Sequence, residues 1–269
     1  MTLVLTEITS VGIAMAADSA ITKIKGGKIL EIDEQGWKKL IRVPKINAGI
    51  SYWGMIGAIT KRQFDIWLQE KIDNGNYTDL NSFADYLVDE LNRACKNIPL
   101  QQGYDVGIHI AGYSKWTDNV SRPTFFHIHN GHGRIKLNDK RDSKKNIIYI
   151  NPVWDSDPRK LFEKHFDFPD PNKPLQENIR ILNNGGWITR NGDFFLYSVF
   201  QDYINAAIQF IHLSPNIRIP KNPTSISSRK GYLHIILETI IRLYRCSNQS
   251  KIVGGSVTSL AIGPKGFIN

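Results

Sequence analysis

The distribution of apolar and polar positions predicts strands at the beginning of the chain. Thr2–Leu5 and Val11–Ala17 are apolar and β-branched, and the polar stretch Thr6–Ser10 separates them. Runs of this length bounded by polar residues are typical of strands, so the segment is predicted to form a hairpin whose second strand is mostly buried. A second hairpin is predicted around a Gly-Gly turn, from Ile21–Lys25 and Lys28–Ile32.

Four helices are predicted where apolar residues recur at steps of three and four. They cover Met55–Asp73, Asp79–Ile98, Phe194–Ile211 and Lys230–Arg245. Further short strands are predicted at Lys39–Val43, Ile46–Ser51, Val106–Gly112, Pro123–His129 and Val257–Ile262. Strands and helices come in blocks rather than alternating singly, which favours an α+β fold over a parallel βαβ fold.

Two stretches break this pattern. Residues 136–178 are rich in charge, Asp, Pro and Phe, and are predicted to be an insertion with little regular structure apart from Asn146–Ile150. Residues at about 213–228 form a Pro/Ser-rich stretch that is predicted to be a long loop. The length of 269 residues fits one large domain or two small ones.

Composition and charge exclude some classes of protein. With 41% hydrophobic and 22% charged residues, the chain is an ordinary globular one rather than a disordered or fibrous one. The net charge of +9 favours acidic partners in general. The basic stretch Lys136–Lys145, with Tyr149 and Trp154 nearby, could contact nucleic acid, but a solvated loop is favoured because no recognition motif accompanies it.

The compartment is predicted from what the sequence lacks. Cys95 and Cys246 are far apart and have no metal-ligand spacing, so neither a disulfide framework nor a zinc site is expected, and a reducing cytoplasm is the default. No basic segment precedes an apolar run at the N-terminus, where Glu7 interrupts the apolar residues, so no secretory signal is expected. No run reaches about 18 apolar residues, so no membrane contact is expected.

Three histidines have a spacing that resembles a metal site. If residues 124–129 form a strand, His127 and His129 share one face, and His132 follows shortly after. No Asp, Glu or Cys is adjacent to them, so ordinary strand-end histidines are favoured over metal ligands. No metal and no cofactor are therefore expected.

Thr2 is the first candidate for a catalytic residue. It follows Met1 directly, and a small second residue is what removal of the initiator methionine requires. A mature chain beginning at Thr2 would carry a nucleophilic hydroxyl and a basic α-amine on one residue, and the ordinary pKa of that amine is about 7.7–8.0. Because many proteins begin with Met-Thr, this dipeptide alone is a weak signal.

The residues that follow Thr2 carry a resemblance to a known family. The stretch Val11–Thr22, which reads V-G-I-A-M-A-A-D-S-A-I-T, resembles the start of a proteasome β-subunit, a member of the N-terminal-nucleophile (Ntn) hydrolases. The chain is similar to a divergent bacterial-type member of that family. Asp18 lies sixteen positions after Thr2, as in that family. Thr22 matches the family's substrate-contacting threonine, whereas Ala20 stands where an arginine is usual.

Other stretches agree with this resemblance. Lys39–Val43 followed by Gly49–Gly54 is similar to the family's lysine strand and small-residue turn. The resemblance implies that Lys39 is the catalytic lysine, with Lys38 as its competitor, and that the turn near Gly54 binds the oxyanion. The central hairpin and the closing Gly254-Gly255 strand are also similar to those of the family.

The resemblance implies a fold and a set of partners. The fold is a four-layer αββα sandwich, with two antiparallel sheets between helix layers, formed by a single domain over residues 1–269 with the insertion and loop described above. The substrate is a peptide or an amide. The assembly is a homo-oligomeric ring, to which an unfoldase could add as a further partner.

Departures from the family pattern leave two functions open. Ser250 and Val253 stand where the family has a supporting aspartate and serine, and Gly185-Gly186 lacks the serine of the corresponding glycine-rich stretch. The chain is therefore either a threonine peptidase or amidohydrolase that works through an acyl-enzyme, or a non-catalytic structural subunit of a ring. A third interpretation, a basic nucleic-acid-binding protein, rests on the net charge alone.

Overall fold

The computed structural model describes residues 2–25, 28–34, 36–54, 60, 62–95, 106–130, 163–192, 203, 206, 225–246 and 253–268. Within these ranges the chain is a mixed α+β structure with three sheets and four helices. The strands are β1 Leu3–Thr9, β2 Gly12–Asp18, β3 Ile21–Lys25, β4 Lys28–Asp33, β5 Leu40–Val43, β6 Ala48–Gly54, β7 Val106–Lys115, β8 Ser121–His129, β9 Glu163–Phe168, β10 Trp187–Gly192, β11 Val257–Gly263 and β12 Gly266–Ile268. The helices are α1 Phe64–Asn74, α2 Leu80–Cys95, α3 Leu175–Asn183 and α4 Ile226–Cys246.

The first sheet has the order β10-β1-β2-β11-β12, and its pairs are antiparallel. The predicted first hairpin is confirmed, but the predicted polar break at Thr6–Ser10 is wrong, because β1 continues to Thr9. The polar side chains stay buried in β1 since each has a partner. Thr6 contacts His109, Glu7 pairs with Arg229, and Thr9 donates to the Gly12 carbonyl.

The other sheets contain the remaining strands. β3 and β4 form a two-stranded sheet, as predicted. The third sheet has the antiparallel order β5-β6-β7-β8-β9, and a short 3-10 helix over Pro44–Ile46 joins β5 to β6. This short helix lies at the junction of the two strands predicted at Lys39–Val43 and Ile46–Ser51.

Three apolar clusters hold these elements together. One joins α1 and α2 to the β5–β9 sheet, with Phe64, Leu87 and Ile108 among its members. A second joins α4 to the sheet that contains β1. The third contains residues from both five-stranded sheets, for example Met15 and Phe125, so these two sheets pack against each other.

The helix predictions hold in part. α1 begins at Phe64, and residues 62–63 are not helical, so the single helix predicted over Met55–Asp73 is interrupted there. Thr60 is helical, and residues 55–59 and 61 lie outside the described residues. α4 begins at Ile226, four residues before the predicted start at Lys230, so its first turn lies partly in the segment predicted to be a loop. The Ser225 hydroxyl accepts the Ser228 N–H at 3.1 Å, as a helix N-cap does. The prediction over Phe194–Ile211 lies outside the described residues except for Tyr203 and Ala206, which are helical.

The prediction of little regular structure over residues 136–178 is wrong for its last part. β9 occupies Glu163–Phe168 and pairs with β8, and α3 begins at Leu175. Asn178 fixes the turn before α3, since its side-chain amide bonds both the N–H and the carbonyl of Asp170 at 2.9 and 3.0 Å. Asn146–Ile150 lies outside the described residues.

Candidate functional site

Asp18 is the centre of a buried charged cluster. It stands at the end of β2 and is 1% exposed. Its Oδ1 accepts the Leu3 N–H at 3.0 Å and the Lys39 ammonium at 3.0 Å, and its Oδ2 accepts the Gly254 N–H at 3.2 Å. The start of β1, the residue before β5 and the loop before β11 therefore converge on one carboxylate, and every contact is charge-assisted.

Lys39 is the only cation at this carboxylate among the described residues. It immediately precedes β5, is 2% exposed, and also donates to the Ala20 carbonyl. Burial lowers the pKa of Lys39, and the charge of Asp18 and its hydrogen bond oppose that shift. The competing Lys38 is exposed, and its backbone N–H instead bonds Asp65 at 2.9 Å.

Thr2 lies next to this charged cluster along the chain. It is 6% exposed and directly precedes Leu3, whose backbone is bonded to Asp18. Because Leu3 is held on the carboxylate, the position of the backbone on the C-terminal side of Thr2 is fixed by the cluster.

The two predicted substrate-binding residues lie on strands of different sheets. Thr22 is half-buried on β3, opposite Ile32 of β4. Gly54 ends β6 with φ of 90°, a backbone conformation that favours glycine. Leu40 pairs with Ser51 and the Tyr52 N–H bonds the Lys39 carbonyl, so Gly54 lies at the end of the sheet where Lys39 enters it.

A closing loop, residues 253–256, supports Asp18 and was not identified in this role from the sequence. Besides the Gly254 N–H bond to Asp18, the Ala20 N–H donates to the Gly254 carbonyl at 3.1 Å. The Ser256 N–H donates to the Ser19 hydroxyl at 2.9 Å, and that hydroxyl donates to the Glu34 carbonyl at 2.8 Å. The backbone of this loop thus holds the residues on either side of the carboxylate.

The structure explains the residue types at two positions of the closing loop. Val253, which stands at a supporting position of the family pattern, is fully buried in the cluster between α4 and its sheet. Gly255 has φ of 75°, and a Cβ there would come within 2.2 Å of the Glu34 carbonyl and of the Ser19 hydroxyl. Gly-Gly after an apolar residue is the signal that could have identified the loop. Ser250 lies outside the described residues.

A second buried polar group, the neutral cluster, consists of Thr6, His109 and Asn191. The His109 Nδ1 lies 3.2 Å from Thr6 Oγ1, and its Nε2 lies 2.5 Å from Asn191 Nδ2. Burial lowers the pKa of His109 to about 3, so the ring is neutral at ordinary pH. With the Asn191 amide donating to Nε2, the single ring proton lies on Nδ1 and is donated to Thr6.

The described residues also contain a surface cavity of about 350 Å³, and no member of these two clusters lines it. Trp116, Phe126 and Leu175 supply apolar walls, and Lys115 and Lys173 supply cations. None of Thr2, Asp18, Lys39, Thr22 and Gly54 lines it.

The described residues contain neither a metal-binding group nor a membrane-spanning helix. There, no three His, Cys, Asp or Glu side chains are grouped so that they could hold a metal ion. Among the helices of the same residues, none is both long and apolar enough to cross a membrane.

Comparisons with known proteins give structural neighbours alone. No protein-family model and no curated protein matches the chain. One solved structure that it resembles is Anbu (ancestral beta-subunit) from Yersinia bercovieri, with 11% identity, a TM-score of 0.44, and coverage of 97% of this chain and 81% of that chain. Another is the Anbu (Gly-1) mutant from Hyphomicrobium sp. strain MC1, with 11% identity, a TM-score of 0.49, and coverage of 98% and 82%.

These neighbours correct the assignment made from the sequence. The identification of the chain as a proteasome β-subunit-like member of its family is wrong, because the neighbours are Anbu proteins, a proteasome-like but distinct family. The motif residues Asp18 and Lys39 are nevertheless in contact, so the local geometry has to be interpreted from its own chemistry.

Proposed function

We propose that this chain hydrolyses a peptide or amide bond, with the Thr2 hydroxyl as nucleophile after removal of Met1. The observation that carries the proposal is the buried Asp18–Lys39 pair, whose carboxylate also binds the backbone N–H of Leu3. A buried ammonium whose pKa is perturbed is a frequent feature of catalytic sites.

The proposed reaction proceeds through an ester on Thr2. The hydroxyl oxygen adds to the substrate carbonyl while the α-amine of Thr2 takes the hydroxyl proton. Collapse of the tetrahedral intermediate breaks the C–N bond, and the same proton goes to the leaving amine. Water, activated by the α-amine, then cleaves the ester, which releases the acid and restores the threonine.

Lys39 and Asp18 have separate tasks in this reaction. Positive charge on Lys39 stabilises the developing alkoxide and lowers the pKa of the hydroxyl. Asp18 holds that ammonium and opposes the effect of burial on its pKa. Backbone N–H groups at the turn near Gly54 would stabilise the oxyanion, and each such donor typically contributes about 2.7–4 kcal/mol.

The test combines mass spectrometry with kinetics. The intact mass of the purified chain should show loss of Met1, since a blocked amine cannot act as the base. Fluorogenic peptide turnover should disappear in Thr2→Ala and persist at a reduced rate in Thr2→Ser, which keeps a hydroxyl. Retention of Met1 in active protein, or full turnover by Thr2→Ala, would contradict the proposal.

A second candidate is a non-catalytic subunit of a ring. Burial of Val253 favours it, because an apolar side chain occupies a position where the family pattern has a polar supporting group. This candidate predicts oligomers that do not react with a threonine-directed electrophile such as an epoxyketone. Covalent labelling of Thr2 would eliminate it.

The proposed function is accompanied by a proposed layer arrangement and a proposed oligomer. We propose that the elements form an αββα sandwich, supported by the apolar clusters between α1, α2 and one sheet, between α4 and the other, and between the two sheets. We also propose a homo-oligomeric ring, for which Ile66 and Ile235, exposed isoleucines on α1 and α4, are candidate contacts. Light scattering of the purified chain measures the oligomer mass, and a monomer would contradict the ring.

A further inference from the structure

The surface cavity of about 350 Å³ lies at the opposite end of the β5–β9 sheet from Lys39. β7 begins at Val106, which is paired with Gly54, close to where Lys39 enters the sheet. Ser114 and Lys115, at the other end of β7, line the cavity. The ten residues of β7, at about 3.4 Å each, separate these ends by roughly 30 Å. A ligand in the cavity would not touch the residues assigned to the reaction, so the inference does not depend on the proposed hydrolase.

One wall of the cavity is the end of β7 and the turn after it, and Trp116 is the main apolar surface of that wall. The indole N–H of Trp116 donates to the Thr124 hydroxyl at 3.1 Å, and its ring meets the Phe168 ring edge-on with centroids 5.7 Å apart. The hydroxyls of Ser114 and Thr124 lie 2.6 Å apart and share a hydrogen bond. Because the protein itself satisfies these polar atoms, the wall offers a ligand an apolar surface.

The opposite wall is the segment between β9 and α3, and the buried Asn178 holds it in place. The side-chain amide of Asn178 bonds both the N–H and the carbonyl of Asp170. The amide nitrogen also donates to the carbonyls of Lys173 and Pro174, at 3.3 and 3.4 Å. The apolar side chains on this wall are those of Pro169, Pro171 and Leu175. A segment tied to one buried amide is formed before a ligand arrives, so binding has little ordering cost.

Exposed lysines give the mouth of the cavity an excess of positive charge. Lys115 and Lys173 both line the cavity and are exposed. Lys173 pairs with Glu177 at 3.0 Å on the surface, where ion pairs are weak, and no carboxylate in the described part of the chain pairs with Lys115. Asp170 is the one acid among the described residues of the lining, and its carboxylate accepts the Asn172 N–H at 2.9 Å. The Lys115 ammonium is therefore available to an anion.

We propose that this cavity binds a small organic anion with a flat apolar body, such as an aromatic carboxylate. Its volume of about 350 Å³ is at the lower end of the roughly 300–1,000 Å³ that is usual for small-molecule sites, so it suits a small ring system. The ring packs between Trp116 and the two prolines of the opposite wall, and the carboxylate stays at the mouth beside Lys115. A cation of the same shape would meet the lysines and be repelled.

The test titrates the full chain with naphthoate by isothermal calorimetry, and with naphthamide as the neutral analogue of the same shape. Naphthoate should bind saturably at one site per chain and more tightly than naphthamide. Lys115→Met keeps the apolar stem and removes the charge, so it should weaken naphthoate binding about 2- to 5-fold, the effect of one exposed ion pair, and leave naphthamide binding unchanged. Added salt should weaken the binding of naphthoate alone, because it screens exposed charges.

Two variants fill the cavity from different walls. Leu175→Trp and Thr117→Phe each add a ring to the lining and should abolish binding of both compounds. Thr117 is exposed, so its replacement should leave the fold intact, and circular dichroism checks this for each variant. The matched control is Lys265→Met, at an exposed lysine between β11 and β12 that does not line the cavity, and it should keep full binding. Absence of saturable naphthoate binding by the wild type, equal affinity for the two compounds, or undiminished binding by folded Thr117→Phe would overturn the proposal.

Discussion

The charged cluster and the neutral cluster both join the two five-stranded sheets, but they use different chemistry. In the charged cluster Asp18, at the end of β2, binds Lys39, which leads into β5. In the neutral cluster Thr6 of β1 and Asn191 of β10 bind His109 of β7. All of these groups except Asn191 are almost completely buried.

The difference indicates that the charged cluster has a catalytic role and that the neutral cluster has a structural role. A neutral imidazole with two hydrogen bonds costs little to bury, and burial keeps the pKa of His109 low enough to leave it uncharged. A buried ion pair is expensive to desolvate, and an apolar pair of similar size would often be as stable. The charged cluster is therefore better explained by a function of the ammonium than by stability.

The largest expected effect is that of Asp18→Asn. This change leaves the Lys39 ammonium buried without a counter-charge, and loss of one partner of a buried pair costs about 3–5 kcal/mol. The free energy of unfolding, measured by urea denaturation, should fall by that amount, and peptide turnover should be lost. Glu31→Gln breaks the exposed pair with Lys23 and should change neither quantity. If Asp18→Asn kept the unfolding free energy of the wild type, the charged cluster would not contain the costly buried pair that distinguishes it from the neutral cluster.

Gly255→Ala tests whether the closing loop positions Asp18. The new Cβ would meet the Glu34 carbonyl and Ser19 hydroxyl at 2.2 Å, and the loop must move to relieve the contact. We expect a loss of about 1–3 kcal/mol in unfolding free energy from backbone strain. Turnover should fall by roughly 10- to 100-fold, since small displacements of catalytic groups have effects of this size.

The control for this change is Gly185→Ala. Gly185 also has a positive φ, of 119°, but an added Cβ there has no neighbour within 4 Å. The Gly185→Ala variant should therefore have backbone strain but should not displace the closing loop. Comparable stability loss with unchanged turnover is expected, and equal turnover in both variants would show that the loop has no positioning role.

His109→Leu tests the neutral cluster. The change leaves the buried Thr6 hydroxyl and the Asn191 amide without their ring partner, which costs about 1–3 kcal/mol. Urea denaturation should show this loss, whereas peptide turnover under native conditions should stay the same. A fall in turnover under conditions where the variant is folded would show that His109 contributes to the reaction, and the two clusters would then not differ in function.

The charged cluster could be predicted from the sequence more readily than the neutral one. The resemblance to a family pointed to Asp18 and Lys39, and Asp18 follows an apolar run whereas Lys39 precedes one. Their contact, however, requires the packing of two sheets. Asn191 and β10 were missed altogether, because β10 is stabilised by pairing with β1, which lies far away in the sequence.

β9 illustrates the same limit. Its residues, E-K-H-F-D-F, show weak apolar alternation and follow a charged stretch, so local composition indicates an irregular segment. Pairing with β8 and the contact of Lys164 with α2 make it a strand. The closing loop was assigned from the resemblance as a Gly-Gly strand, but its backbone bonds to Asp18 and Ser19 follow only from the three-dimensional arrangement.

The last expected effect is a pH dependence of stability that arises from His109 in the neutral cluster. The pKa of His109 is about 3 in the folded chain and ordinarily 6.5, so between these values the unfolded chain binds a proton that the folded chain does not. Stability should therefore fall as pH falls from 6.5 towards 3, by up to about 1.4 kcal/mol per pH unit. His109→Leu lacks this loss, so the stability advantage of the wild type over the variant should shrink at lower pH.

Taking the difference between the two proteins removes other titrating groups from this measurement. Burial raises the pKa of Glu7, so its contribution has the opposite sign and favours the folded chain as pH falls through that range. Because Glu7 is present in both proteins, its contribution cancels in the difference. Urea denaturation of both at pH 6.5, 5.5 and 4.5 gives the comparison, and a difference that does not change with pH would mean that His109 can take up a proton while the chain stays folded.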